Sequence, residues 1–151
     1  MNEKQYFSER LDDQIKWYSN KSRYNQKMYK RLGLLEIIAA SLIPLLSGLS
    51  SMISYSEWII GILGVIIAVA AGASALYKFH ENWMAYRTTL EALKHEKLLY
   101  LTQTNPYEND ERFQTLVSRA ESIMVNENQY WLAYSKKMEG SSAPSPIDGA
   151  A

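Results

Sequence analysis

The chain has 151 residues, room for one compact unit rather than two domains. Sixteen Lys and Arg balance sixteen Asp and Glu, so overall charge does not point to a nucleic-acid partner. The lack of cysteine excludes a disulfide framework and any thiolate metal site.

In chain order, Glu3 to Arg31 reads as a helix: Phe7, Leu11, Ile15 and Tyr18 recur at helical spacing, with Trp17, Tyr24 and Met28 drifting beside them. No Gly or Pro interrupts it before Gly33, so the helix is expected to run on into the apolar stretch that follows. That stretch, Leu32 to Ile53, has 22 residues; a second, Trp58 to Tyr77, has 20. A bilayer core of about 30 Å needs roughly 20 apolar residues in a helix. The polar tip 54–57 between them is short, and the pair reads as a transmembrane hairpin. A buried hairpin in a soluble protein is the alternative. It is disfavoured because the second run is apolar all round, with no charge between Glu57 and Lys78. A cleavable signal is not expected, because about thirty polar residues precede the first run without a short apolar core or small-residue cleavage site.

Orientation follows from charge. Lys16, Lys21, Arg23, Lys27, Lys30 and Arg31 precede the first span and Lys78 and Arg87 follow the second, while the tip holds only Glu57. Positive residues stay on the cytoplasmic side, which places both termini there. Tyr29, Tyr55, Trp58 and Tyr77 stand near the four span ends, where aromatic rings favour the headgroup region. The same basic stretch suits topology and lipid contact better than RNA.

The spans hold two candidate devices. On a helical wheel Ala40, Ile43, Ser47 and Ser50 fall within about 40° of Glu36. A carboxylate, small residues and hydroxyls on one stripe suit an ion pathway, because such oxygens replace part of a cation's hydration shell. The blander readings are that Glu36 reaches the headgroups and pairs with Lys30 or a nearby basic residue, and that Ser47, Gly48, Ser50 and Ser51 unwind the span end. Pro44 frees the Ala40 carbonyl. In the second span Gly61, Gly64, Ala68, Gly72 and Ala75 form a small-residue stripe, the type through which helices approach closely in lipid, within the hairpin or between subunits.

Beyond the second span, Phe79, Trp83, Tyr86, Leu90, Leu93, Lys97 and Tyr100 form a heptad-like seam through a continuation over 78–104 that ends before Asn105-Pro106. A third helix over 108–138 repeats the pattern with Phe113, Leu116, Ala120, Ile123, Glu127, Tyr130, Tyr134 and Met138. Glu127 interrupts an apolar stripe, so Arg87 is expected to pair with it or, at i,i+4, with Glu91. The tail 139–151, rich in Ser, Pro, Gly and Ala, is expected to be disordered. The chain is therefore expected to be an all-α integral membrane protein with a two-transmembrane helical hairpin, long cytoplasmic helical extensions and a third cytoplasmic helix.

No enzymatic constellation stands out, and the chain is not expected to be an enzyme. The only two histidines, His80 and His95, lie about 22 Å apart along one helix and cannot share a metal. No phosphate loop, zinc spacing or nucleophile elbow is present. Glu91, His95 and Glu96 read as helix surface.

The hairpin, the stretch Trp83 to Glu96 with Arg87 and Glu91-x-Leu93-Lys94, the Pro106-Tyr107 turn and the late Trp131 together resemble the bacterial SLATT-like two-transmembrane proteins. That name denotes the SMODS- and SLOG-associating two-transmembrane effector domain. The resemblance covers about residues 15 to 138 and implies a pore-forming or ion-conducting protein of the bacterial inner membrane. The chain departs from the effector pattern of that family, in which a sensor or nucleotide-synthase domain is fused, so gating by a nucleotide is not expected, and its 151 residues contain no Thr-Val-Gly-Tyr-Gly filter.

Since one hairpin cannot enclose a lumen, a channel must be a homo-oligomer, most simply a tetramer. The expected function is a monovalent-cation channel with the lipid bilayer and like subunits as partners. No cofactor is expected beyond K+ or Na+ held in the pore. The first span would line the pore, and the small face of the second would pack it. Trp83, Tyr86, Arg87, Leu90, Glu91, Leu93, Glu127 and Trp131 would hold the cytoplasmic assembly together. A non-conducting anchor or adaptor, whose cytoplasmic bundle recruits a partner in bacterial defence or signalling, is the alternative.

Overall fold

A computed structural model describes residues 2–50 and 54–141, with side chains as far as Glu127. Its architecture is all-α. Helix α1 runs Glu3–Gly48, α2 runs Ser56–Leu101 and α3 runs Arg112–Ser141. The chain divides into two units, Lys16–Thr88 and Met1–Ile15 with Thr89–Ala151.

Helix α1 starts because Asn2 caps it, the Asn2 side-chain oxygen accepting from the Gln5 amide at 2.8 Å. A π-helical turn over Phe7–Leu11 follows. Tyr6 and Leu11, five residues apart, would point about 140° apart in a regular α-helix. The wider turn lets both face inward, at 4% and 0% exposure. This turn was not foreseen from periodicity.

Within Lys16–Thr88 the two apolar helices form a hairpin, α1 carrying Pro44 inside it. Its inner face is narrow, with Ala39 and Ala70 almost fully buried. Only 6% of the most apolar window of each helix is buried, and Ile37, Val65, Val69 and Leu76 lie open. An apolar surface of this extent does not suit a water-exposed monomer. The first apolar run was expected to stay helical to Ile53, but α1 ends at Gly48. There the Leu49 amide reaches the Leu45 and Leu46 carbonyls and Ser50 closes a turn on Ser47. The Ser-Gly-Leu-Ser run ends the helix, since Gly and Ser favour caps and turns.

Helix α2 is broken at one residue. Lys78 sits in the left-handed region at φ 47, ψ 45, between Ser56–Tyr77 and Phe79–Leu101. The Asn82 side-chain amide donates to the Tyr77 carbonyl at 3.0 Å, a group that a helix break would otherwise orphan. A left-handed backbone costs a non-glycine residue roughly 1–2 kcal/mol. Lys78→Gly is therefore expected to raise stability by up to about 1 kcal/mol, after its greater unfolded freedom is counted. Thermal unfolding in detergent, followed by circular dichroism, checks this.

The second unit gathers Leu11, Leu90, Leu93, Tyr100, Tyr107, Leu116, Ala120 and Met124 into a core. The seam positions of the sequence supply most of it. The α2 continuation stops at Leu101, with Gln103 at φ 52, and the Asn105-Pro106 peptide is cis. Helix α3 extends to Ser141, so 139–141, expected to be disordered, are helical; 142–151 lie outside the described residues.

Candidate functional site

The carboxylate and hydroxyl stripe of α1 lies in Lys16–Thr88. Glu36 and Ile43 are half-buried at the edge of the face that holds Ala39, whereas Ala40 and Ser47 are exposed. Ser50 is also exposed but lies in the turn beyond Gly48, off the helical stripe. Ser41 turns its hydroxyl back to the Ile38 carbonyl at 2.9 Å. Glu36 forms no ion pair with Lys30 among the described residues.

The small-residue stripe of α2 is turned away from its own hairpin. Gly61, Gly64, Ala68, Gly72 and Ala75 are all exposed. A Cβ placed on Gly61, Gly64 or Gly72 would meet nothing within 4 Å. The face that α2 buries runs instead through Ser56, Leu63, Ile66, Ile67 and Ala70. An open groove of about 640 Å³, lined by Glu57, Trp58, Gly61, Ile62, Val65 and Ile66, marks the start of the stripe.

At the other end of the hairpin, aromatic rings cluster. Tyr29 lies 4.9 Å from His80 and 6.4 Å from Trp83, measured between ring centroids. Tyr86 packs edge-on to Trp17 at 5.7 Å and beside Tyr18 at 6.2 Å. His80 therefore sits in an aromatic cluster.

In the other unit three polar ties join all three helices. Arg10 of α1 grips Glu121 of α3 with two hydrogen bonds, Nε at 3.0 Å and Nη2 at 2.8 Å, and the Tyr6 hydroxyl donates to the same carboxylate at 3.4 Å. Arg119 of α3 grips Glu96 of α2 in the same forked way, at 3.0 and 2.7 Å, and the Tyr107 hydroxyl completes that group. Lys97 of α2 pairs with Asp12 of α1. Forked guanidinium–carboxylate pairs are strong and directional, so they fix helix register as well as proximity.

Glu96 is the buried member, 5% exposed. Burial alone would raise its carboxyl, but hydrogen bonds from Arg119 and Tyr107 outweigh that and hold it below the usual range. The Arg10 hydrogen bonds lower Glu121 against a smaller opposing effect of burial. Burial first, then the Glu121 charge, pushes Tyr6 up to about 12, and burial with Glu96 raises Tyr107. Sequence reading placed Glu96 on the helix surface and did not single out Arg10, Arg119 or Glu121. Their signal was weak: Glu96 is adjacent to exposed His95 and Lys94, and only its three-residue spacing from buried Leu93 marks the inner face.

The residues proposed for cytoplasmic assembly divide. Leu90 and Leu93 are core, Trp83 and Tyr86 half-buried, and Arg87 exposed. Glu91 faces out and pairs with Lys94 at 3.4 Å, while Glu127 is half-buried. Trp131, Tyr130, Tyr134 and Met138 stand on α3, their side chains outside the described residues. No group of three or more metal-binding side chains occurs among the described residues.

The chain is thus an all-helical protein with two helices long and apolar enough to cross a membrane and a separate unit tied by polar groups. It belongs to the DUF4231 family, described as a protein of unknown function, whose model matches residues 13–114. No curated protein and no solved structure matches it.

Proposed function

We propose that the protein is a SLATT-like, homo-oligomeric channel of the bacterial plasma membrane that conducts monovalent cations, with both termini cytoplasmic. The observation that carries the reading is the open small-residue face of α2. A stripe that permits close helix approach, yet has no described residue of its own chain within 4 Å of a Cβ at Gly61, Gly64 or Gly72, suits a neighbouring subunit. The adjoining groove beside Gly61 could receive side chains from that neighbour. Four or more hairpins would be needed to enclose a water-filled path, and a tetramer is the simplest closed ring.

Glu36 would stand near the cytoplasmic mouth, where a ring of carboxylates concentrates cations by electrostatic focusing. Glu36→Gln keeps the shape and deletes the charge. Cation flux into vesicles should fall in this variant, most strongly at low salt, where screening is weakest. Equal flux at every salt concentration would remove Glu36 from the pathway.

Orientation is tested by labelling introduced cysteines in whole cells, the chain having none of its own. Tyr55 at the tip is 73% exposed and Asn20 on α1 is exposed. Tyr55→Cys should react with an impermeant reagent and Asn20→Cys should not. The reverse pattern would invert the topology.

A non-conducting adaptor is the second reading. The polar-tied unit favours it, because a compact helical unit with fixed register also suits a docking platform.

A further inference from the structure

Five cations of α1 share one side of the helix. Lys16, Arg23, Lys27, Lys30 and Arg31 fall within an arc of about 100° on the wheel, opposite the buried Tyr18, Ser22 and Asn25. All five are exposed. None forms an ion pair among the described residues; the one polar contact is from Arg23 to the Ser19 hydroxyl, at 3.4 Å. No carboxylate interrupts the sequence between Asp13 and Glu36. A row of cations this long, with no carboxylate beside it, makes a local positive field that attracts anions.

We propose that Lys27, Lys30 and Arg31 form a binding site for the headgroup of an anionic phospholipid of the surrounding membrane, an inference that rests on the membrane placement proposed above. Three observations select this occupant. Lys30 and Arg31 stand three and four residues after Lys27, so Lys27 neighbours both of them on the helix surface. They occupy the last turns before Leu32, within about 8 Å of the start of the apolar run, at headgroup level. The Tyr29, His80 and Trp83 rings lie beside the same turn of the hairpin, and Tyr and Trp side chains favour that interface. A phosphodiester offers acceptor oxygens that three such donors can share, and guanidinium adds a forked contact.

Arg23 and Lys16 lie on the same stripe but roughly 13 and 24 Å from the start of the apolar run. Both are beyond a Debye length of about 8–10 Å from the headgroups, so they contribute little to lipid binding. That difference separates a lipid site from a site for an extended polyanion such as RNA, which would engage the whole stripe.

The test is native mass spectrometry of the full chain in neutral detergent, titrated with phosphatidylglycerol or with phosphatidylcholine. Wild type should bind phosphatidylglycerol in preference. K27Q/K30Q/R31Q should lose about fivefold in affinity per cation, about a hundredfold in all. K16Q/R23Q should change by less than about twofold. If the triple variant does not fold, wild type alone decides: its preference for phosphatidylglycerol must shrink as salt rises. Equal binding of both lipids, a salt-independent preference, or equal losses in the two variants would overturn the site. RNA duplex bound through all five cations would replace it with a polyanion surface. Uptake of neither lipid would overturn the membrane placement itself.

Discussion

Arg119→Met is expected to destabilise the protein by roughly 3 kcal/mol at neutral pH. The substitution leaves Glu96 buried without its cation, and breaking a buried pair from one side costs roughly 3–5 kcal/mol. The lower end applies because half of the Arg119 side chain is open to solvent. Thermal unfolding in detergent gives the magnitude, and pH gives the mechanism. In wild type Glu96 titrates below its ordinary value, so its contribution is complete above that ordinary value, 4.5, and is lost as pH falls through the lowered one. In Arg119→Met the guanidinium bonds that lower the carboxyl are gone while burial and the Tyr107 bond remain, so the folded carboxyl moves up from its wild-type position. That variant should therefore lose less stability than wild type as pH falls through this range. The triple replacement E96M/R119M/Y107F, apolar throughout, should recover most of the loss. A variant with the wild-type pH dependence would show that Arg119 does not set the state of Glu96.

Gly64→Leu is expected to have the largest effect on assembly. Among the described residues nothing lies within 4 Å of a Cβ at this position, so the single hairpin should keep its helicity. Between subunits it would stand where two helix backbones must approach closely, and small-residue interfaces do not accommodate a leucine there. The mass of the purified protein in lipid nanodiscs should fall from an oligomer to a monomer while the circular dichroism stays that of wild type. An unchanged oligomer would place the interface elsewhere. A loss of helicity would show that the face packs within the chain after all.

The two apolar helices were legible because twenty-residue apolar runs have few other uses, and the seams were legible because Leu90, Leu93, Leu116 and Ala120 repeat at helical spacing. The seam burial alters one expectation. A charge at Leu90, 6% exposed within its own chain, would disrupt the subunit's core before it disturbed any contact between subunits. The polar ties were illegible for a different reason. A charged residue on a helix is usually solvated, and only a partner brought in from a distant part of the chain reveals otherwise. Arg119 lies 23 residues from Glu96, and Arg10 lies 111 residues from Glu121. The π-helical turn at Phe7–Leu11 and the left-handed Lys78 were missed because both break the regular period on which sequence reading depends. Arg87 and Glu91 stand at i,i+4 and both are exposed, and the ion pair that Glu91 makes is with Lys94 at 3.4 Å.

The central claim is conduction, and single-channel recording from the purified full chain in planar bilayers tests it most directly. With potassium on one side and sodium on the other, discrete current steps and a reversal potential set by cations rather than by chloride are the result this account predicts. Bilayers that stay electrically silent over the whole voltage range, with the oligomer shown to be inserted, would contradict it and favour the adaptor.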